Sequence, residues 1–205
     1  DGRADPQARR LGRDRDRPQL IHRTGRRARP GPNQPDFNML DRPRGQVAFR
    51  LIHDTDRPFL EYLHATTRAW EFELVAWEET EKARFLKQQF EAQDLSYQRS
   101  FPKANRQIIT LDGVDIGRLY LDRQDDVLYI IEFSLLPQYQ GRGIGTDILR
   151  SLLNEAHGGK VPVRLKVERL NPAQRLYLRH GFVQTGVVGH HLALEWRPQL
   201  GPREV

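Results

Sequence analysis

The stretch that decides the fold is PQYQGRGIGTDILRSLLNEA, Pro137 to Ala156. Glycines at 141, 143 and 145 alternate with other residues and run straight into a helical pattern. Ile144, Ile148, Leu149, Leu152, Leu153 and Ala156 recur at the three-four spacing of an amphipathic helix. A helix start leaves N–H groups unpaired and carries the positive end of the helix dipole. Glycine lets the backbone approach an anion closely there, and Arg142 adds a cation. A tight turn without a ligand needs one glycine, not three. The segment therefore predicts an anion site between a strand and a helix.

Two nucleotide fingerprints fail on identifiable residues. The Walker A pattern, Gly, four residues, then Gly-Lys-Ser/Thr, is absent. The dinucleotide pattern G-x-G-x-x-G accepts Gly141 and Gly143 but would put its third glycine at Thr146. Glu168 ends the next strand at about the distance of a ribose-binding acid, so a dinucleotide-binding protein stays as an alternative. Such a domain starts with this unit, however, and here a hairpin meander precedes it.

Working outward, QVAFRLI (Gln46 to Ile52) alternates as a strand. A helix follows, with Asp56 as its cap and Phe59, Leu60 and Leu63 on one face. A second, charged helix carries the stripe Phe85, Leu86, Phe90. From Arg106 to Pro137 the pattern gives three strands, with turns at Asp112-Gly113 and Asp125-Asp126. The third run, Val127 to Leu136, is nearly all apolar and is expected to be central and covered on both faces. After the glycine segment, Gly158-Gly159 is expected to end the helix. VPVRLKVE is a strand, and NPAQRLYLRH is a helix with Asn171 as cap and Pro172 at its first position, ended by Gly181. Two strands, FVQTGVV and HHLALEW, close the chain. The order is strand, two helices, three strands, helix, strand, helix, two strands: a mixed α/β layout.

At this point the residues resemble a family. Gln140-Gly-Arg-Gly143-Ile-Gly145 fits the Gln/Arg-x-x-Gly-x-Gly/Ala pattern of the GNAT N-acetyltransferases. It follows SLLPQY, which looks like the hydrophobic-x-Pro entry to their pyrophosphate loop, and precedes Asn171-PAQRLYLRHG-Phe182, which resembles their Asn…Ala…Leu-Tyr-x-x-x-Gly-Phe helix. The sharp match covers about Val127 to Phe182, and the element order from Gln46 to Trp196 agrees. The resemblance implies a GNAT acyl-CoA acyltransferase fold: a mixed, mostly antiparallel sheet of six to seven strands flanked by about four helices.

The resemblance also implies an activity and a site. The enzyme would move the acetyl group of acetyl-CoA directly to a primary amine in a ternary complex. The backbone of Gly141, Arg142, Gly143, Ile144, Gly145 and Thr146, led by Gln140, would hold the coenzyme A pyrophosphate. Phe133, Ser134 and Leu135 would pair with the pantetheine arm, where the two central strands splay apart. Asn171 lies two residues before Ala173, where many relatives have three, which bears on its contact with coenzyme A rather than on its capping role. Tyr177 matches the family tyrosine assigned as general acid.

The chemistry itself needs three things. An alkylamine, with a pKa of about 10, must lose a proton before it attacks. The oxyanion needs a donor, for which the Leu135 N–H is the candidate. The leaving thiolate benefits from a general acid. Glu132 is the candidate base, because a carboxylate in the apolar strand YIIEFSLL is costly unless it faces a cleft or has a partner. A structural pair with Arg118 is the alternative reading, and Glu168 is a second candidate base. A non-catalytic acyl-CoA sensor of the same fold is the alternative to an enzyme. The acceptor is not legible. Trp70, Phe72 and Trp77 could line its pocket but suit core packing, as one of His190 and His191 could. Arg175 and Arg179 could meet nucleotide phosphates or merely solvate a helix face.

Charge and composition divide the chain. Residues 1–38 hold ten Arg and five Asp, with no Lys, Glu, Trp, Val or Ser. That tail carries a net of +5 out of the chain's +6, so basicity is no nucleic-acid footprint on the rest. Too few apolar residues leave the tail disordered by expectation. Met39 is the only methionine, and GC-rich DNA translated upstream of a true start there would read as this tail does. Residues 39–205 are expected to be the GNAT domain. There is no cysteine, hence no acetyl-thioester carrier, and no metal site is expected. No apolar run approaches the ~18 residues that span a bilayer. The expectation is a cytoplasmic protein without membrane or nucleic-acid partners for its folded domain, and compatible with a homodimer.

Overall fold

The structure is a computed structural model and describes residues 45–72 and 77–199. The tail at 1–38 and the side chain of Trp70 lie outside the described residues.

The strands are β1 (Val47–Leu51), β2 (Asn105–Leu111), β3 (Val114–Arg123), β4 (Leu128–Leu135), β5 (Val163–Glu168), β6 (Val183–Val188) and β7 (His191–Trp196). The helices are α1 (Arg57–Arg68), α2 (Glu79–Ser100), α3 (Ile144–Gly159) and α4 (Gln174–Arg179). The order matches the expected one element for element. One sheet contains all seven strands in the order β1-β2-β3-β4-β5-β7-β6. Every neighbouring pair is antiparallel except β4 and β5. That exception follows from α3, which carries the chain from the end of β4 back to the start of β5.

The two faces of the sheet differ. The apolar stripe of α3 packs on one, where Ile148, Leu149 and Leu152 are fully buried against Ile109, Leu119, Leu121 and Ile130. Each such side chain contributes about 1.5–3 kcal/mol of burial. Helices α1 and α2 cover the other face with a smaller cluster, Leu60, Phe90 and Ile108. That face also carries buried polar groups, His64 and Arg118 among them.

Local chemistry explains most boundaries. Asp112 and Gly113 both take positive φ, 51° and 83°, as the tight hairpin turn between β2 and β3 requires. Gly181 takes φ 85° after α4. Four expectations need correction. Asp56 stands before α1 but does not cap it: its carboxylate accepts bonds from Arg50 at 2.7 and 2.9 Å and from the His53 N–H at 2.8 Å. Gly158 and Gly159 lie inside α3, and Lys160 takes the left-handed position at φ 56°. Pro172 precedes α4 by a turn of tighter, three-residue hydrogen bonds, so the regular helix begins only at Gln174. Strand β4 is central, but its second half is only half-buried because a cleft opens over it.

Candidate active site

The site is built where β4 and β5 part. They pair only at Leu128–Val163, Tyr129–Arg164 and Ile130–Leu165. Beyond Ile130 the strands carry no ladder pairs with each other, and a cleft lies on the α1/α2 side. Glu132, Phe133, Ser134, Glu168, Asn171 and Tyr177 all line it, as do His64 and Arg68.

A bulge aims the side chains. Tyr120 pairs with Glu132 while Leu121 pairs with Ile130, so Ile131 is the extra residue. Cross-strand partners share a face, and Tyr120 and Leu121 face opposite sides. Ile130 therefore points with Leu121 into the α3 core, and Glu132 points with Tyr120 into the cleft. Strict alternation would have put both on one face.

Backbone direction follows from the same ladder. The Leu136 N–H donates to Ile116 O at 2.8 Å, so the even-numbered amides at this end of β4 turn toward β3. The amides of Phe133 and Leu135 turn toward the gap. Ser134 turns its backbone to β3 and its Oγ into the wall of the cleft, buried and without a hydrogen-bond partner among the described residues. The sequence grouped Phe133, Ser134 and Leu135 together; the alternation separates Ser134 from its neighbours.

The glycine loop sits at the end of this gap. Gly141 and Gly143 take φ 69° and 86°, a backbone that side chains other than glycine rarely adopt. Asp147 N–H is the first to bond back within α3, to Gly143 O at 3.0 Å. That leaves the amides of Gly143, Ile144, Gly145 and Thr146 as the helix's four without an intrahelical partner. Gly141, Arg142, Gly143 and Ile144 line a hollow together with Leu111. The Arg142 guanidinium lies 5.6 Å from the centre of the Tyr139 ring. Gln140 is spent differently: its Nε2 donates to Leu135 O at 2.7 Å and fastens the loop to β4. A side chain on Gly145 would sit 3.7–3.8 Å from Leu176, Leu135 and Phe133, so loop, strand and α4 are in contact.

Tyr177 stands on α4, 5% exposed, with its ring edge-to-face on Phe182 at 5.5 Å. Burial, and then the Glu132 charge, push its phenol well above the usual tyrosine range. It is a proton holder at any working pH. Asn171 Oδ1 accepts the Ala173 N–H at 2.9 Å, so the capping role is present in the turn that leads to α4.

Glu132 is ionically held. Arg118, only 3% exposed, reaches its Oε2 at 3.2 Å, and Tyr97 OH donates to the same oxygen at 3.1 Å. Arg118 also donates to Gln93 Oε1 at 3.1 Å. The pairing with Arg118 is thus present, and it coexists with access to the cleft. Glu168, at the end of β5, is bound by Arg68 of α1, and His191 Nε2 lies 3.9 Å from it. Arg68 also pairs with Glu71, whose carboxyl is raised by burial. His191 lines the cleft while His190 lies in the exposed turn before β7. Phe72 and Trp77 pack with Phe85 in an aromatic cluster at 5.2–5.7 Å. Arg175 and Arg179 are exposed. Among the described residues no three His, Cys, Asp or Glu side chains gather as a metal site.

Sequence reasoning missed His64, Arg68, Gln93 and Tyr97, which close the cleft from α1 and α2. One signal was present: His64 continues the apolar stripe of Leu60 and Leu63, and Gln93 and Tyr97 continue that of Phe90. A polar residue on a buried stripe marks a wall shared with a cleft.

Comparisons with known proteins agree with this fold. Residues 104–184 match the family model described as acetyltransferase (GNAT) domain. Among solved structures, the chain is similar to a PaiA N-acetyltransferase from Thermoplasma acidophilum in complex with coenzyme A. The TM-score is 0.56 and the identity 18%, over 74% of this chain and 99% of that one. An acetyltransferase from Thermus thermophilus gives 0.53 and 18%, over 74% and 96%. A ribosomal L7/L12 alpha-N-protein acetyltransferase gives 0.50 and 19%, over 73% and 87%. No curated protein sequence matches the chain.

Proposed function

Since residues 104–184 match the family model of the GNAT acetyltransferase domain, we propose that this protein is an acetyl-CoA-dependent N-acetyltransferase. It passes the acetyl group directly to a primary amine bound beside the donor. The observation that carries the reading is the parting of β4 and β5 after Ile130–Leu165. That gap has four helix amides without an intrahelical partner at one end and the Glu132–Tyr177 cleft at its side.

The residues present suit coenzyme A. Positive φ at Gly141 and Gly143 bares backbone amides to an anion, and Arg142 adds charge. We assign the pyrophosphate to residues 141–146 and the pantetheine arm to the gap-facing amides of Phe133 and Leu135. When bound, acetyl-CoA supplies the thioester. In this reading the Leu135 amide donates to the oxyanion. Tyr177, kept protonated by burial, gives its proton to the departing sulfur. Glu132 attracts the ammonium form of the acceptor and, through water, takes its proton. Without cysteine the chain has no thiol to carry acetyl, which favours direct transfer.

The acceptor classes that fit this reading are a small amine, an amino acid and a peptide amine. The L7/L12 enzyme, by its name, modifies a protein N-terminus, which keeps peptide amines in the panel. Among the described residues no helix is long and apolar enough to cross a membrane, and a cytoplasmic location fits that. The test is release of free coenzyme A thiol by the full chain over a panel of amines, amino acids and peptides. Acetyl-CoA binding with no thiol released from any member would favour the sensor reading instead.

A further inference from the structure

We propose that His64 of α1 binds the acceptor: its Nε2 takes a hydrogen bond from the acceptor nitrogen and so fixes where that nitrogen's lone pair points. This rests on the acetyltransferase reading and deepens it, because that reading leaves the acceptor's own contacts unassigned.

His64 is 2% exposed, yet it lines the cleft together with Glu132, Ser134 and Tyr177. Its ring packs edge-to-face on Phe90 at 5.7 Å. Nε2 is buried and meets no hydrogen-bond partner among the described residues. A buried ring nitrogen left so is costly, and such atoms in native folds need an explanation. Ser134 Oγ is a second buried, unpartnered polar atom lining the same cleft. Two such atoms in one cleft fit a polar group arriving from outside the chain.

The surroundings decide what kind of group. Arg118 of β3 and Arg68 of α1 both oppose a charge on the ring, and burial opposes it more. Glu132 of β4 favours the charge, but Arg118 and the Tyr97 hydroxyl of α2 already occupy its Oε2. Gln93 of α2 favours the charged ring through a side-chain hydrogen bond, and its Oε1 also accepts from Arg118. The balance leaves the imidazole neutral, with a pKa near 4. A neutral imidazole with its proton on Nδ1 offers Nε2 as a pure acceptor. Its complement is an N–H donor, which an amine supplies and a carboxylate does not. Glu132 beside it attracts the same amine by charge, so the two divide attraction and orientation between them.

The experiment uses the full chain saturated with coenzyme A. His64 is followed by nitrogen-15 NMR of the imidazole, with n-butylamine and alanine tripeptide as probes. Binding of either probe is expected to move the His64 Nε2 resonance. His64→Leu, which keeps the apolar packing, is expected to weaken that probe's affinity about 10-fold or more while coenzyme A affinity stays within about twofold. His64→Gln, whose amide oxygen accepts, is expected to restore most of the loss. An unmoved resonance, unchanged probe affinity in His64→Leu, or no saturable binding of either probe overturns the assignment. Failure to bind coenzyme A at all would sink the acetyltransferase reading as well, so the two failures are told apart.

Discussion

Arg118 and Glu132 face each other from β3 and β4 at 3.2 Å, with the arginine side chain 3% exposed and the glutamate 15%. Arg118 also lies over the rings of Tyr120 and Phe90, at 5.5 and 5.9 Å. Removing one partner of such a pair strands the other charge in low dielectric, at about 3–5 kcal/mol. Glu132→Gln is therefore expected to destabilise the fold by about that much, and Arg118→Met likewise. The double variant should recover part of the loss, because neither charge remains. Urea denaturation of all four proteins checks it; equal, independent losses that simply add would contradict the pairing.

Tyr177→Phe keeps the ring on Phe182 and removes only the hydroxyl. If that hydroxyl protonates the leaving sulfur, kcat is expected to fall about 100-fold or more with coenzyme A affinity unchanged. Its phenol, and that of Tyr97, are raised chiefly by burial. In the unfolded chain both would titrate near 10, the ordinary value. The folded protein thus holds more protons than the unfolded one above about pH 10, and stability falls as pH rises beyond it. An ultraviolet phenolate titration should show late titration by Tyr177 and Tyr97, with one late phenol fewer in Tyr177→Phe.

At the acid end His64 behaves oppositely. Its folded pKa lies near 4, depressed by burial and then by Arg118 and Arg68, with Glu132 and Gln93 working against them. The unfolded value is about 6.5. The neutral ring contributes stability above about pH 6.5, and that contribution is lost as pH falls toward 4. Asp56, held at about 2 chiefly by the Arg50 hydrogen bond, loses its share only below the ordinary carboxylate range. His64→Leu should therefore flatten the stability curve between about pH 6.5 and 4 and leave the steeper fall below it intact. Melting temperatures of both proteins across that range decide the point.

Gly117 of β3 lies against Ser134 and Leu135, and a side-chain carbon there would run into the Ser134 carbonyl and the Leu135 side chain. Gly113, in the hairpin turn, has nothing within 4 Å of that position and only its positive φ at stake. Gly113→Ala is expected to cost about 1–2 kcal/mol and leave coenzyme A binding untouched. Gly117→Ala is expected to cost about as much or more, and also to weaken coenzyme A binding, because it pushes aside the residues that line the gap. Calorimetric titration with coenzyme A separates the two. Equal affinities in both variants would mean that the Ser134–Leu135 segment does not hold the arm.

What could be read beforehand was local, and what could not was pairing at a distance. The glycine loop was legible because positive φ at Gly141 and Gly143 needs glycine itself, and the helix stripe begins at once beside it. Tyr177 was marked only by the resemblance of the run from Leu176-Tyr177 to Gly181-Phe182 to the GNAT helix pattern. Glu132 stood out as a lone carboxylate in an apolar strand, yet its face did not follow from alternation, since Ile131 bulges. His64 and Tyr97 became part of the site only when α1 and α2 folded over the far side of β4. Their spacing on the Leu60–Leu63 and Phe90 stripes marked a buried polar wall, but not the strand that wall would cover.

The end of α3 tests the same lesson in a position far from chemistry. Two glycines were the expected terminator, yet both stay helical and Lys160 takes the left-handed turn at φ 56°. Its N–H still closes the helix, bonding back to Ala156 O and His157 O. A lysine in that conformation costs about 1–2 kcal/mol relative to glycine, partly offset by about 0.5–1 kcal/mol from the greater unfolded-chain freedom of glycine. Lys160→Gly is thus expected to stabilise the protein by about 0.5–1 kcal/mol. Gly159→Ala, inside the last turn with a side-chain carbon 3.7 Å from Val161, should stabilise it by a similar amount through helix propensity. A drop in melting temperature for Lys160→Gly would mean that the lysine makes a contact worth more than its strain.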